Sequence, residues 1–235
     1  MKINTQRGFT LVEIAIVLVI IGLLLGGILK GQELINSARV RNLADMNSGI
    51  QAAYYGFIDR YRQVPGDWAQ AAAQTAIGVT ISTGGDGSGA IDPTSGGGNM
   101  DEAAAVWEQL SKAGFIQGSY DATGVTDVAS YVAAGSAAAP VNAFNGLLFL
   151  ARNADYTGTA STRLNLHLGR NIPVNIAREL DVKLDDSKPQ TGVLREAGTA
   201  GTFGVLGTSN NANCQAGGEY DIAGDEQSCN LAFLY

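Results

Sequence analysis

The chain has one His, two Cys and only five Pro among its 235 residues. Structural zinc sites take four ligands, mainly Cys and His, so no Cys/His cluster of four can form here. Lys and Arg number 15 against 22 Asp and Glu, a net charge of −7. Phosphate contacts need a surplus of Lys and Arg, so general nucleic-acid binding is not expected. Glycine is abundant, at 31 residues, but follows no Gly-X-Y period, which excludes a collagen-like chain. Hydrophobic residues make up 46%, too many for a disordered polymer. Gly85, Asp86, Gly87, Ser88 and Gly89 stand in succession without the Lys-Ser/Thr of a phosphate loop. No cofactor is therefore expected. With a single His and no visible nucleophile–base pair, the chain does not read as an enzyme.

Charge is also scarce within one stretch. Residues 9–29 form an apolar run broken by a single charge, Glu13, and Lys2 and Arg7 precede it. At about 1.5 Å per residue such a helix spans roughly 30 Å, the hydrocarbon thickness of a bilayer. The positive-inside rule puts the N-terminus in the cytoplasm and the rest of the chain outside it. A cleaved secretory signal is the alternative. Against it stand the length of the run, the poor cleavage site at Leu29, Lys30, Gly31 and Gln32, and the carboxylate of Glu13. A charge in a membrane span is costly and calls for a partner, which makes Glu13 a functional candidate. Gly22, Gly26, Gly27 and Gly31 give small-xxx-small pairs, through which helix backbones approach closely.

Arg7, Gly8, Phe9, Thr10, Leu11, Val12 and Glu13, followed by the apolar run, resemble the N-terminus of type IV prepilins and of the pseudopilins of type II secretion. The resemblance implies that prepilin peptidase cleaves between Gly8 and Phe9 and that the new N-terminal Phe9 is methylated. It implies that Glu13 sets register during assembly, paired with the N-terminus of its own or a neighbouring subunit. It implies as partners other pilin subunits, the peptidase, an inner-membrane assembly platform and the lipid bilayer. The expected place is the bacterial inner membrane, with the head in the periplasm, and then a pilus or pseudopilus. Many main-fibre pilins carry a Pro in the second half of this run, whereas this chain has none before Pro65.

Beyond the run, Leu43, Met46, Ile50, Ala53, Phe57 and Tyr61 recur at helical spacing and form one apolar face. Pro65, Gly66 and Asp67 are expected to end this long helix. In the head, residues 78–100 read as a surface loop. Asn99 is expected to cap a helix in which Glu102 reaches back, with Ala103, Val106, Trp107 and Leu110 inward and Gly114 closing it. Strands are expected over 143–150, over 161–168 and from Val193. The second alternates Leu164, Leu166 and Leu168 with Arg163, Asn165 and His167, which places His167 on a polar, exposed side. Pro173 is expected to open a short helix with Ile176, Ala177 and Leu180 inward. Cys214 and Cys229 can form a disulfide outside the cytoplasm, closing a loop of about 15 residues worth about 3 kcal/mol. Free thiols are the alternative, and the resemblance favours a C-terminal disulfide loop. Glu219, Asp221, Asp225 and Glu226 lie in that loop. They miss the EF-hand spacing, so they are a weak Ca²⁺ candidate beside the plainer reading of a solvated acidic loop.

The expectation is an α+β pilin fold: a long N-terminal α-helix, membrane-spanning in its first half, packed on an antiparallel sheet, with a C-terminal disulfide loop. Its segments are a leader at 1–8, a transmembrane and assembly helix at 9–30, an amphipathic continuation at 31–62 and a globular head at 63–235. The expected function is that of a structural fibre subunit. Alternatives are a minor pseudopilin of type II secretion and, from another class, a membrane-anchored enzyme or binding protein.

Overall fold

The computed structural model describes residues 10–92, 100–159, 161–197, 214–223 and 227–235. The chain divides into two units, residues 1–39 and 40–235. One helix, α1 (Leu11–Tyr61), crosses that boundary without interruption. It contains no Pro and stops three residues before Val64, where Arg62 takes a positive φ of 57°. The proline thus marks the exit from the helix without itself ending the hydrogen-bond ladder.

In the second unit, the expected stripe of α1 faces the core. Val40, Leu43, Ile50, Ala53, Tyr54 and Phe57 are buried, and Met46 and Tyr61 pack beside them. The Phe57 ring meets those of Tyr61, Trp68 and Phe115 at centroid distances of 4.7, 6.0 and 5.7 Å. A short helix, α2 (Gln70–Ile77), follows and is closed by Gly78 at φ 83°. Helix α3 (Asp101–Lys112) is sunk in the core, with every residue from Glu102 to Leu110 buried. Trp107 Nε1 donates to the Tyr131 hydroxyl at 2.9 Å, and that hydroxyl donates to the Leu148 carbonyl at 2.6 Å. Tyr131 belongs to α4 (Val128–Ala134), which starts on a capping box between Asp127 and Ser130.

The main sheet has four antiparallel strands. They are β1 (Phe149–Asn153), β2 (Arg163–His167), β4 (Leu194–Glu196) and β8 (Leu231–Leu234), in the order β1-β2-β8-β4. Leu150, Leu166, Phe233 and Leu194 stand opposite one another as one row across all four strands. Between β2 and β4 lie β3 (Ile172–Pro173) and α5 (Val174–Leu184), which buries Ile176, Ala177 and Leu180 as expected. Near the C-terminus, β5 (Gln215–Ala216) and β6 (Glu219–Tyr220) form a two-stranded ribbon. Its turn is Gly217-Gly218, at φ 62° and 87°, the positive values that a tight hairpin needs. Strand β7 (Gln227–Cys229) pairs with β3.

Three local expectations are corrected. Residues 143–148 are not a strand: a turn with Asn145 at φ 60° and an isolated Val141–Leu147 bridge come first, and β1 begins only at Phe149. Glu102 does not cap its own helix, whose cap residue is Met100. Instead it accepts from the backbone N–H of Asp86 at 3.2 Å and of Asp92 at 2.7 Å. Asn99 lies outside the described residues. His167 is not at the surface but 3% exposed, because β2 lies inside the sheet and its second half, from Asn165 to His167, is buried, although Arg163 at its start is exposed. Its ring sits edge-on to Phe149 at 5.6 Å, and Phe149 in turn meets Tyr131. Period-2 polarity marks a half-exposed strand only where one face meets water.

Candidate functional site

The helix in the first unit has its residues from Leu11 to Lys30 all exposed, among them Leu18, Leu23, Leu24 and Leu29. It is long and apolar enough to cross a membrane. Among the described residues nothing covers this apolar surface, and a helix apolar on every side suits lipid or other helices. Lys30 Nζ pairs with Glu33 Oε2 at 2.7 Å where the apolar run ends, with both side chains solvent-facing.

Glu13 sits in the first turn of α1. Its Oε2 accepts from both the backbone N–H and the hydroxyl of Thr10, each at 2.8 Å. The Glu13 N–H donates back to Thr10 Oγ1 at 3.3 Å. This is a capping box: two backbone N–H groups otherwise left without helix partners each donate to the other residue's side chain, and a negative charge lies at the positive end of the helix dipole. Glu13 therefore has a partner within the described residues, and that partner is Thr10. Sequence reasoning had not singled out Thr10, although the Thr-x-x-Glu spacing before an apolar run was there to read. The cleavage and methylation positions, Gly8 and Phe9, lie outside the described residues.

Gly22, Gly26, Gly27 and Gly31 all lie within α1, and a Cβ added at any of them would meet nothing within 4 Å. Their lack of side chains is thus not required by packing within the chain.

At the other end of the molecule, Cys214 and Cys229 are joined by a disulfide, with Cα atoms 5.1 Å apart, and both are buried. Of the weak Ca²⁺ candidates, Glu219 is exposed, and Asp221 uses Oδ1 to accept from the Ala223 N–H at 3.2 Å. Asp225 and Glu226 lie outside the described residues. Carboxylates gather instead at two places that sequence reasoning missed: Asp67, Asp86 and Glu102, and Asp181, Asp185 and Asp186. Both gatherings tie loops down. Asp67 accepts from the Ser88 and Gly89 N–H groups at 2.9 and 2.8 Å, and Asp185 from those of Val193 and Leu194 at 2.5 and 2.8 Å. Burial beside Asp67 and Asp86 pushes Glu102 up to about 7, with its two backbone hydrogen bonds offsetting part of the rise. Asp67, Asp86 and Glu102 are far apart in sequence, so no spacing rule could have assembled them, whereas Asp181, Asp185 and Asp186 are neighbours at the end of α5.

Residues 3–29 match the family described as Prokaryotic N-terminal methylation motif, the signature of type IV prepilins and pseudopilins. No curated protein and no solved structure matches the chain. The motif and the apolar helix together fit a type IV pilin-like protein that is anchored in a membrane. The motif implies processing by prepilin peptidase and assembly with other pilin subunits.

Proposed function

We propose that the chain is a structural, non-catalytic subunit of a type IV pilus-like fibre. It is inserted in the inner membrane as a prepilin with its head in the periplasm, cleaved after Gly8, methylated at Phe9 and passed to an assembly platform. In this reading 1–8 is the leader, 9–30 the transmembrane and assembly helix, 31–62 its amphipathic continuation and 63–235 the head. The observation that carries the reading is the methylation motif at residues 3–29 running directly into a helix exposed on all sides.

The glycines support assembly into a fibre over a closed pair. At about 100° per residue, Gly22 and Gly26 share one side of α1, while Gly27 and Gly31 share another, roughly 140° around the axis. Two separate close-approach faces on one helix suit head-to-tail contacts, which extend indefinitely unless a rotation closes them. Glu13 then pairs with the N-terminal ammonium of its own or a neighbouring subunit, because two opposite charges buried together offset much of a cost that neither can bear alone. A second reading, a minor pseudopilin of type II secretion, is favoured by one observation. Helix α1 runs unbroken from Leu11 to Tyr61, without the proline that interrupts it in many main-fibre pilins.

Intact mass measurement of the membrane-extracted protein tests the proposal. The expected mature chain starts at methylated Phe9, and replacing Gly8 with a bulky residue leaves the leader attached. A mature start beyond Leu29 would show an ordinary secretory signal and overturn the reading.

A further inference from the structure

Fibre assembly through α1 leaves two acidic groups in the head without a role. Glu196 on β4 and Asp181 on α5 are both wholly inaccessible to solvent. Neither carboxylate oxygen of Glu196 has a hydrogen-bond partner of good geometry among the described residues. Its polar neighbour is the Gln215 amide, which gives partial relief while its own Oε1 accepts from Gln190 Nε2 at 2.7 Å. Asp181 accepts from the Tyr220 hydroxyl at 2.8 Å and from the Ser187 N–H at 3.1 Å. Gln215 and Tyr220 belong to opposite strands of the β5–β6 ribbon and are direct register partners. Both acids therefore face the same small element, which lies inside the Cys214–Cys229 disulfide.

Among the described residues no cation compensates these acids. Asp185 and Asp186 act on Asp181 as like charges. On β8, Leu231 stands opposite Glu196, and the adjoining Asn230 is buried with an unpartnered Oδ1. Of the basic residues nearby, Lys183 is paired with Glu179 and Lys188 acts on Asp186. Among the described residues no Lys or Arg forms an ion pair with Glu196 or Asp181. An ionised carboxylate left unpaired in such a place is costly, so the folded arrangement favours the proton-bearing form.

We propose that Glu196 and Asp181 act as a proton-dependent clasp, which holds the β5–β6 ribbon against the head while Glu196 is protonated and loosens it once both acids are ionised.

Burial raises Asp181 to about 6 and Glu196 to about 8. Each folded value exceeds the unfolded one. The clasp is therefore complete below the ordinary carboxylate range and is lost in two stages as pH rises, first through about 6 and then through about 8. Tyr220 is raised far above its ordinary value by burial and the acids around it, so it remains a hydrogen-bond donor throughout.

Amide hydrogen exchange on the full-length, disulfide-intact protein in detergent tests the clasp, with rates corrected for the intrinsic effect of pH. Protection of residues 214–223 is expected to fall by about tenfold or more between pH 6 and 9. The amides of α3 should hold their protection over the same range. Glu196→Gln, which keeps a neutral side chain, should flatten the fall between pH 6 and 8, where the buried Glu196 still holds a proton that a free carboxyl has lost. Asp181→Asn should leave that fall in place and flatten the profile only below about pH 6. Uniform wild-type protection from pH 6 to 9 would overturn the proposal, as would an equal fall in Glu196→Gln. If Glu196→Gln does not fold, the profiles from about pH 5 to 9 of the wild type and of Asp181→Asn decide the matter: a wild-type fall confined to below pH 6, or loss of the fall above pH 6 in Asp181→Asn, would overturn the role of Glu196.

Discussion

The two halves of α1 share a backbone and differ in how many sides they hide. From Leu11 to Lys30 every residue is exposed, with Leu24 at 60%. From Val40 to Phe57 the buried positions fall on one stripe, with Leu43 and Phe57 at 0%. Side-chain pattern therefore records the number of partners. A helix packed on one core needs one apolar face, and a helix surrounded by lipid or by other helices needs apolar residues all round. The second half is satisfied within the chain, whereas the first half is left uncovered among the described residues.

Substitutions can break this contrast. Phe57→Ala should remove a ring packed among three others and lower head stability by about 3–5 kcal/mol. Urea unfolding of the full chain followed by tryptophan fluorescence reads it, since Trp68 lies beside Phe57. Leu24→Ala in the exposed half should leave the same midpoint unmoved, and an equal shift for both would erase the distinction.

A smaller effect, of about 3 kcal/mol, comes from His167. Burial lowers it to about 4, below its unfolded value. Its contribution is therefore present above pH 6.5 and lost as pH falls through about 4, opposite in sign to that of Glu196. His167→Leu should remove that part of the acid limb from unfolding midpoints measured between pH 7 and 4.

The smallest effect on the head is expected from Glu13→Leu, within about 0.5 kcal/mol, because among the described residues the Glu13 side chain hydrogen-bonds to Thr10 alone. Insertion and cleavage should proceed, since the span becomes more apolar. Incorporation into fibres beside wild-type subunits should drop, and incorporation at the wild-type level would remove the register role from this carboxylate.

Local patterns carried the helices well and the strands less well. The stripe from Leu43 to Phe57 and the Ile176, Ala177 and Leu180 face of α5 were legible because helical periodicity depends only on neighbours in sequence, whereas α3 is buried on every side from Glu102 to Leu110, Glu108 and Gln109 included. The disulfide was legible as a possibility, since only two cysteines exist to pair. His167 misled because its exposure depends on whether a second layer covers the sheet. Helix α4, which brings Tyr131 onto Phe149, supplies part of that cover. Residues 143–148 misled for a related reason: a short apolar run reads as a strand, and Asn145 at a positive φ turns it instead.

The sequence by itself determined that one end of this chain belongs to an apolar environment and which residues bear the methylation motif. Those properties are local, set by composition, spacing and the length of one run. Only the tertiary structure decided that β2 lies inside the sheet, that Asp67 and Glu102 tie down the glycine-rich loop, and that Glu196 and Asp181 meet one ribbon inside the disulfide. These are contacts between residues many positions apart, and the cost of burying a charge depends on what the fold places around it.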